Sequence, residues 1–163
     1  MKKKWIKIIC GVLIAGFIIA AVVFFIPKRT GSFNIQSVCG YFTAKSYLDN
    51  IIAEKYDKAI ANVYLYEGDL SQKSGKSEAD ALVGWQSRIA QARAQLDYIG
   101  AYTNLKVYLK DGVLVGTVTL TEYVSGVQQI CETELVFKDG KIADITAASV
   151  KDDLERNVSG NIE

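Results

Sequence analysis

The chain has no histidine among its 163 residues, and that absence excludes more chemistry than any motif present supports. Without imidazole there is no usual general base at neutral pH, no serine or cysteine triad built on one, and no common catalytic zinc site. An enzyme here has to work with carboxylates, tyrosines or lysines, and no metal or cofactor is expected. Cysteine is scarce: Cys10 sits in an apolar run, leaving Cys39 and Cys131. A disulfide between these two would close a loop of about ninety residues, contributing up to about 4.7 kcal/mol in the chain-entropy model. Two buried thiols are the alternative, because spacing alone does not give their separation. Basic residues are sparse beyond Arg29, with thirteen against eighteen acidic groups. No basic stripe relieves that imbalance, which argues against a nucleic-acid partner or a domain lying flat on anionic lipid.

The first long feature that is present is apolar. Residues 8–26 are nineteen consecutive positions without a charge. At helical rise they span about 28 Å, close to the hydrocarbon thickness of a bilayer. Lys2, Lys3, Lys4 and Lys7 precede the run, while Lys28 and Arg29 follow the single proline, Pro27. The positive-inside rule then leaves the amino terminus in the cytoplasm and everything after Pro27 outside a cytoplasmic membrane crossed once. A cleaved signal normally has a shorter apolar region ending at a small-x-small site, whereas this one ends in Val23-Phe24-Phe25-Ile26-Pro27. Cys10 is too early for a lipoprotein attachment site. The expected organisation is a basic tip and transmembrane anchor over 1–27, a linker over 28–36, one domain over 37–149 and a polar tail over 150–163.

Within the domain the period is first helical. Val38, Tyr41, Phe42, Leu48, Ile51 and Ile52 recur at three- and four-residue steps. A shorter helix follows with Tyr56, Ile60 and Val63 on one side, closed by Glu67, Gly68 and Asp69. Ser74-Gly75-Lys76-Ser77 resembles the end of a phosphate-binding loop, but position 70 is Leu70 rather than glycine and no strand precedes it. Ser77 is better read as the cap of a third helix, with Asp80 three residues on. That helix carries a stripe of Leu82, Trp85, Ile89, Ala92, Leu96 and Ile99, with Gly100 as its expected stop.

From Tyr102 the period becomes two. Asp111-Gly112, Ser125-Gly126 and Asp139-Gly140 divide the remainder into four strands. Two-residue turns at the first two place Leu105, Val107, Leu109, Leu114, Gly116, Val118, Leu120, Cys131, Thr133, Leu135 and Phe137 on one side. Lys106, Tyr108, Thr117, Thr119, Glu132 and Glu134 fall on the other. The fold class is therefore α+β: after the membrane helix, three helices pack on one face of a curved, four-stranded antiparallel sheet. The last turn leaves two registers open. A two-residue loop turns Ile142 and Asp144 inward, and a three-residue loop with a bulge turns Ile145 and Ala147 inward.

Three helices before a meander, with Tyr56-Asp57-Lys58-Ala59 opening the second helix and Phe137-Lys138-Asp139-Gly140-Lys141-Ile142 leading into the last strand, resemble the nuclear transport factor 2-like superfamily. That superfamily is also called the cystatin-like or cone-shaped α+β fold. The resemblance spans residues 37–148 and implies a cavity between the third helix and the concave sheet. Members similar to ketosteroid isomerase carry out proton transfer there with an aspartate and a tyrosine. Asp144 is the acidic candidate here, and Trp85, Tyr98 and Tyr108 are candidates for the pocket wall or rim. Other members bind ligands or are membrane-tethered assembly subunits of bacterial secretion and conjugation machines, so the fold alone selects no activity.

The expectation is a membrane-anchored extracytoplasmic binding or assembly module, non-enzymatic, with protein partners in the bacterial envelope and no identified small-molecule ligand. One alternative is a small isomerase- or dehydratase-like enzyme using a carboxylate and tyrosines. Another is an accessory subunit that contacts a membrane complex through its span.

Overall fold

The computed structural model describes residues 34–147 and 159–162. The apolar run, most of the linker and residues 148–158 of the tail lie outside the described residues. Among the described residues no helix is long and apolar enough to cross a membrane.

Helix α1 (Ile35–Ile52) starts inside the expected linker, because the Asn34 side chain accepts the Gln36 backbone N–H at 2.7 Å and caps the first turn. Its buried face is Gly40, Ala44, Tyr47, Leu48 and Ile51. Tyr41 and Phe42, expected in the core stripe, are exposed at 38% and 54%. The reason is proximity. A Cβ on Gly40 would lie 2.7 Å from Leu114 Cδ2 and 3.0 Å from Val107 Cγ1, so this end of the helix meets the sheet through its smallest residues. Apolarity alone selects the wrong side when the contact has no room for a ring.

After α1, Glu54 adopts a left-handed φ of 59°, and Lys55 N–H donates to Asn50 C=O at 2.8 Å, closing a Schellman turn without glycine. Helix α2 (Tyr56–Ile60) is one turn long. The chain beyond it is not helical. Val63 bridges Ile142 in parallel, and Val63, Tyr64, Leu65 and Tyr66 are all buried.

Helix α3 (Glu78–Ala94) begins with the expected capping box: Asp80 N–H donates to Ser77 Oγ at 3.2 Å and Ser77 N–H to Asp80 Oδ2 at 3.4 Å. It buries Ala81, Trp85, Ile89 and Ala92, but stops before Gly100. Leu96 takes φ 63° and Asp97 N–H bonds Ala92 C=O at 2.9 Å, another Schellman turn with a leucine where glycine is usual. Leu96 is consequently 55% exposed, and Ile99 is buried from a strand rather than from a helix. Gly84 lies in the middle of α3 with nothing within 4 Å of its Cβ position. Gly84→Ala should therefore raise stability by about 0.5–1 kcal/mol in urea unfolding, from backbone entropy alone.

Strands β1 (Tyr98–Lys110), β2 (Val113–Val124), β3 (Val127–Lys138) and β4 (Lys141–Ala147) form one antiparallel sheet in the order β1-β2-β3-β4. Each connecting turn has two successive residues at positive φ: Asp111 and Gly112, Ser125 and Gly126, Asp139 and Gly140. That geometry matches the right-handed twist of the flanking strands. The registers Val107 with Gly116, Val118 with Thr133 and Gly116 with Leu135 put the expected inward residues together. Val118 and Leu135 join Ala44, Tyr47, Leu48, Trp85 and Ile89 from the helices in the main core cluster, with Val107 packed against it, so the helices cover one face.

The last strand combines features of both expected registers. The turn has two residues and Phe137 opposes Ile142, as in the first. A bulge then shifts the pairing so that Val136 opposes Asp144 and Leu135 opposes Ile145. Ile142 and Ile145 are both buried on the core side, and Asp144 is carried to the opposite side.

Part of the expected frayed tail is docked. Tyr66 N–H donates to Gly160 C=O at 2.9 Å, Gly160 N–H to Ala143 C=O at 2.8 Å and Ile162 N–H to Tyr66 C=O at 3.1 Å. Ser159 and Gly160 are buried, and Ile162 packs against the core.

Candidate binding surface

On the side of the sheet where a cavity is implied, Trp85 of α3 belongs to the main core cluster. Trp85 is fully buried, meets the Tyr47 ring edge-on at 6.5 Å and 73°, and donates its indole N–H to Ser159 C=O at 3.1 Å. Phe137 and Leu120 are buried in the same core cluster. Trp85 is thus a core residue held at both its ring and its polar tip.

Polar groups do lie on the helix-covered side of the sheet, and the sequence pattern does not mark one of them. Glu122 is fully buried, Thr133 is 3% exposed and Cys131 6%. Continuing the period-two count on β2 from the inward positions Val118 and Leu120 reaches Glu122; an acidic residue simply does not read as a core position. Its backbone partners are Ile99 on β1 and Gln129 on β3. Removing a carboxylate from water is unfavourable unless other groups compensate, so its position is an energetic commitment. Thr133 Oγ1 is buried with no hydrogen-bond partner among the described residues.

The other sequence candidates are dispersed. Asp144 is half-buried, accepts the Ile145 N–H at 2.9 Å, and lies near Tyr66, whose phenol is raised above its ordinary value first by burial and then by the Asp144 charge. Tyr108 is 43% exposed and pairs with Val115 on the outward side of the sheet. Cys39 is exposed on α1 and Cys131 is buried on β3; both are thiols, so of the two alternatives the disulfide is not formed, and only one of the thiols is buried. A group of three or more potential metal ligands does not occur among the described residues.

Tyr98 belongs to a different assembly, at the C-terminal end of α3. It stacks on Tyr123 at 4.6 Å and 12°, and the Arg93 guanidinium lies 5.1 Å from its ring centre. Arg93 also donates through Nε to Tyr56 Oη at 3.1 Å and pairs through Nη1 with Glu54 Oε1 at 3.1 Å. Gly100 makes room for the stack, since a Cβ there would lie 2.7 Å from Tyr123 Cε2. Tyrosine and arginine held rigid by neighbours, with rings half open to solvent, form the kind of ledge on which interface energy concentrates.

A second polar group ties α1 to β1. Tyr102 Oη donates to Asp49 Oδ1 at 2.7 Å and Lys45 Nζ to Asp49 Oδ2 at 2.6 Å. The Lys45 hydrogen bond holds the Asp49 carboxyl below its ordinary value, while burial and Asp49 raise the Tyr102 phenol. An ion-paired carboxylate beside a phenol that keeps its proton is a clasp between elements, poorly suited to act as a base.

No family model and no curated protein matches the chain. Among solved structures it is similar to a protein from Xanthomonas campestris pv. campestris that carries the provisional description of polyketide cyclase. The two share 11% identity at a TM-score of 0.47, over 76% of this chain and 99% of that one. At that identity and score the likeness carries no family, substrate or activity to this chain.

Proposed function

We propose that the α+β domain is a non-enzymatic binding or assembly module, presented outside the cytoplasmic membrane by residues 8–26. The observation that supports this reading is the packed interior: Trp85 is fully buried within the main core cluster, and its indole N–H is already bonded to Ser159. Binding then falls to the outside of the domain, with the Arg93, Tyr56, Tyr98 and Tyr123 ledge as the favoured contact. A bacterial envelope assembly, of the secretion or conjugation kind, is the setting proposed from the sequence. A photo-crosslinker placed at Tyr123 in the full chain in cells should give a discrete adduct that Arg93→Ala weakens. Adducts arising only from positions within 8–26 would instead support the accessory subunit working through its span. An alkaline phosphatase fused after Glu163 should be active; a fusion active only as a cytosolic reporter would remove the extracytoplasmic setting.

The enzyme reading has one specific observation in its favour, the buried Glu122 on β2. In that reading a carboxylate shielded from water moves a proton, and a tyrosine stabilises the developing charge. Glu122→Gln, close in shape, distinguishes the two. A binding module keeps its crosslink with this substitution, whereas loss of a turnover found with the unaltered chain would replace the binding reading.

A further inference from the structure

An open cleft of about 450 Å³ runs along the outer side of α3, lined by Lys76, Asp80, Gly84, Ser87, Arg88 and the docked Ile162. It lies outside the cone and away from the Arg93 ledge. Ligand sites commonly occupy roughly 300–1,000 Å³, so a small organic molecule fits. Its distinguishing feature is Arg88. That side chain is half-buried, and among the described residues both of its Nη atoms reach only the Asn161 carbonyl, each at the outer hydrogen-bonding limit of 3.5 Å. No carboxylate among the described residues pairs with it, and burial alone holds its guanidinium below the ordinary value. A guanidinium offers a planar fork suited to two parallel bonds, and here one distant oxygen answers both prongs.

The other charges around the cleft are accounted for. Asp80 accepts the Ser77 hydroxyl at 2.6 Å and the Ser77 N–H, within its capping box. Lys76 stands 3.6 Å from Glu67, a long contact between exposed groups. Ser87 supplies a hydroxyl, Gly84 leaves the floor open, and Ala81 and Ile162 supply apolar wall.

We propose that this cleft binds a small organic oxyanion, a carboxylate or phosphate head held by the Arg88 fork with Lys76 and Ser87 beside it and its apolar part against Ala81 and Ile162. The anion provides the charge that the half-buried guanidinium lacks, and it draws the fork off the Asn161 carbonyl. This site is independent of the partner contact proposed above, because it uses a different end of α3.

The test is calorimetric titration of the full chain with inorganic phosphate and, separately, butyrate, at constant ionic strength. Saturable binding of at least one probe is expected, and which one binds identifies the head group. Arg88→Gln should weaken it at least about tenfold, and Arg88→Lys should weaken it too, since a single ammonium cannot replace the fork. Because Arg88 also touches the docked segment, a variant that leaves it intact is needed. Gly84→Glu places a carboxylate in open space within the cleft and should abolish binding without lowering Tm. No saturation by either probe at the highest concentration that constant ionic strength permits, or equal affinity in Gly84→Glu and the unaltered chain, overturns the proposal.

Discussion

Trp85→Ala is expected to destabilise the domain by about 3–5 kcal/mol, as truncating a buried aromatic commonly does. Trp85 is fully buried, and it packs edge-on against Tyr47, itself fully buried. Small domains are stable by only about 5–15 kcal/mol, so the loss removes a large part of the margin. Removing the indole also leaves the buried Ser159 carbonyl without its 3.1 Å donor. Trp85→Phe separates the two effects, since it keeps most of the ring volume and loses the N–H. Its expected deficit is about 1–3 kcal/mol, from the unanswered carbonyl and the smaller ring together. Urea unfolding of both variants provides the measurement. A loss below about 1 kcal/mol for Trp85→Ala would mean that the cone collapses readily around the gap, and the filled-interior reading of function would lose its basis.

Gly160→Ala should release the docked segment at a cost of about 3 kcal/mol, the net worth of several backbone hydrogen bonds lost together. A Cβ at this position would overlap the Tyr64 carbonyl oxygen and lie 2.7 Å from the Ala143 carbonyl oxygen. Both are backbone atoms, held in place by the Tyr64 to Ile142 and Ile142 to Asn62 hydrogen bonds, so neither moves aside easily. The bonds from Tyr66 to Gly160, Gly160 to Ala143 and Ile162 to Tyr66 would then be lost, along with the Trp85 bond to Ser159. Hydrogen exchange gives the clearest readout. The Tyr66 amide should lose protection while the Val118 and Leu120 amides, inside the β1-β2-β3 ladder, retain theirs relative to global unfolding. A chain ending before Ser159 should behave like the variant. If Gly160→Ala matches the unaltered chain at Tyr66, residues 159–162 are not held as described.

Several errors in reading the sequence share one origin. Tyr41 and Phe42 satisfy a helical period as well as Tyr47 does, yet only Tyr47 is buried, because Gly40 and Ala44 mark the side where the sheet comes close. The stripe through Leu96 to Ile99 likewise looks continuous, although the helix ends at Ala94. Leucine in the left-handed region is unfavourable by about 1–2 kcal/mol, and no local signal announces it. Two bonds from the β2-β3 turn hold it there: Gly126 N–H to Leu96 C=O at 3.2 Å and Ser125 N–H to Asp97 Oδ1 at 2.6 Å. Glu122 is a different case. The alternation reaches it, but hydrophobic character marks the inward side of a strand, and a carboxylate lacks that mark.

The sequence by itself determined the first two β-turns and the position of the third, the pairing of β1 with β2 and β2 with β3, and the start of α3. Each rests on a few adjacent residues: Asp-Gly and Ser-Gly pairs tolerate two positive φ angles, and Ser77 with Asp80 satisfies otherwise open amides. Such preferences act over one turn of chain and need no distant partner. Tertiary structure alone decided which side of α1 is buried, where α3 ends, how the β4 bulge redirects Asp144, and that residues 159–162 close over Trp85. Those outcomes depend on the space and hydrogen-bonding groups offered by segments many residues away, and such offers exist only once the sheet and helices have met.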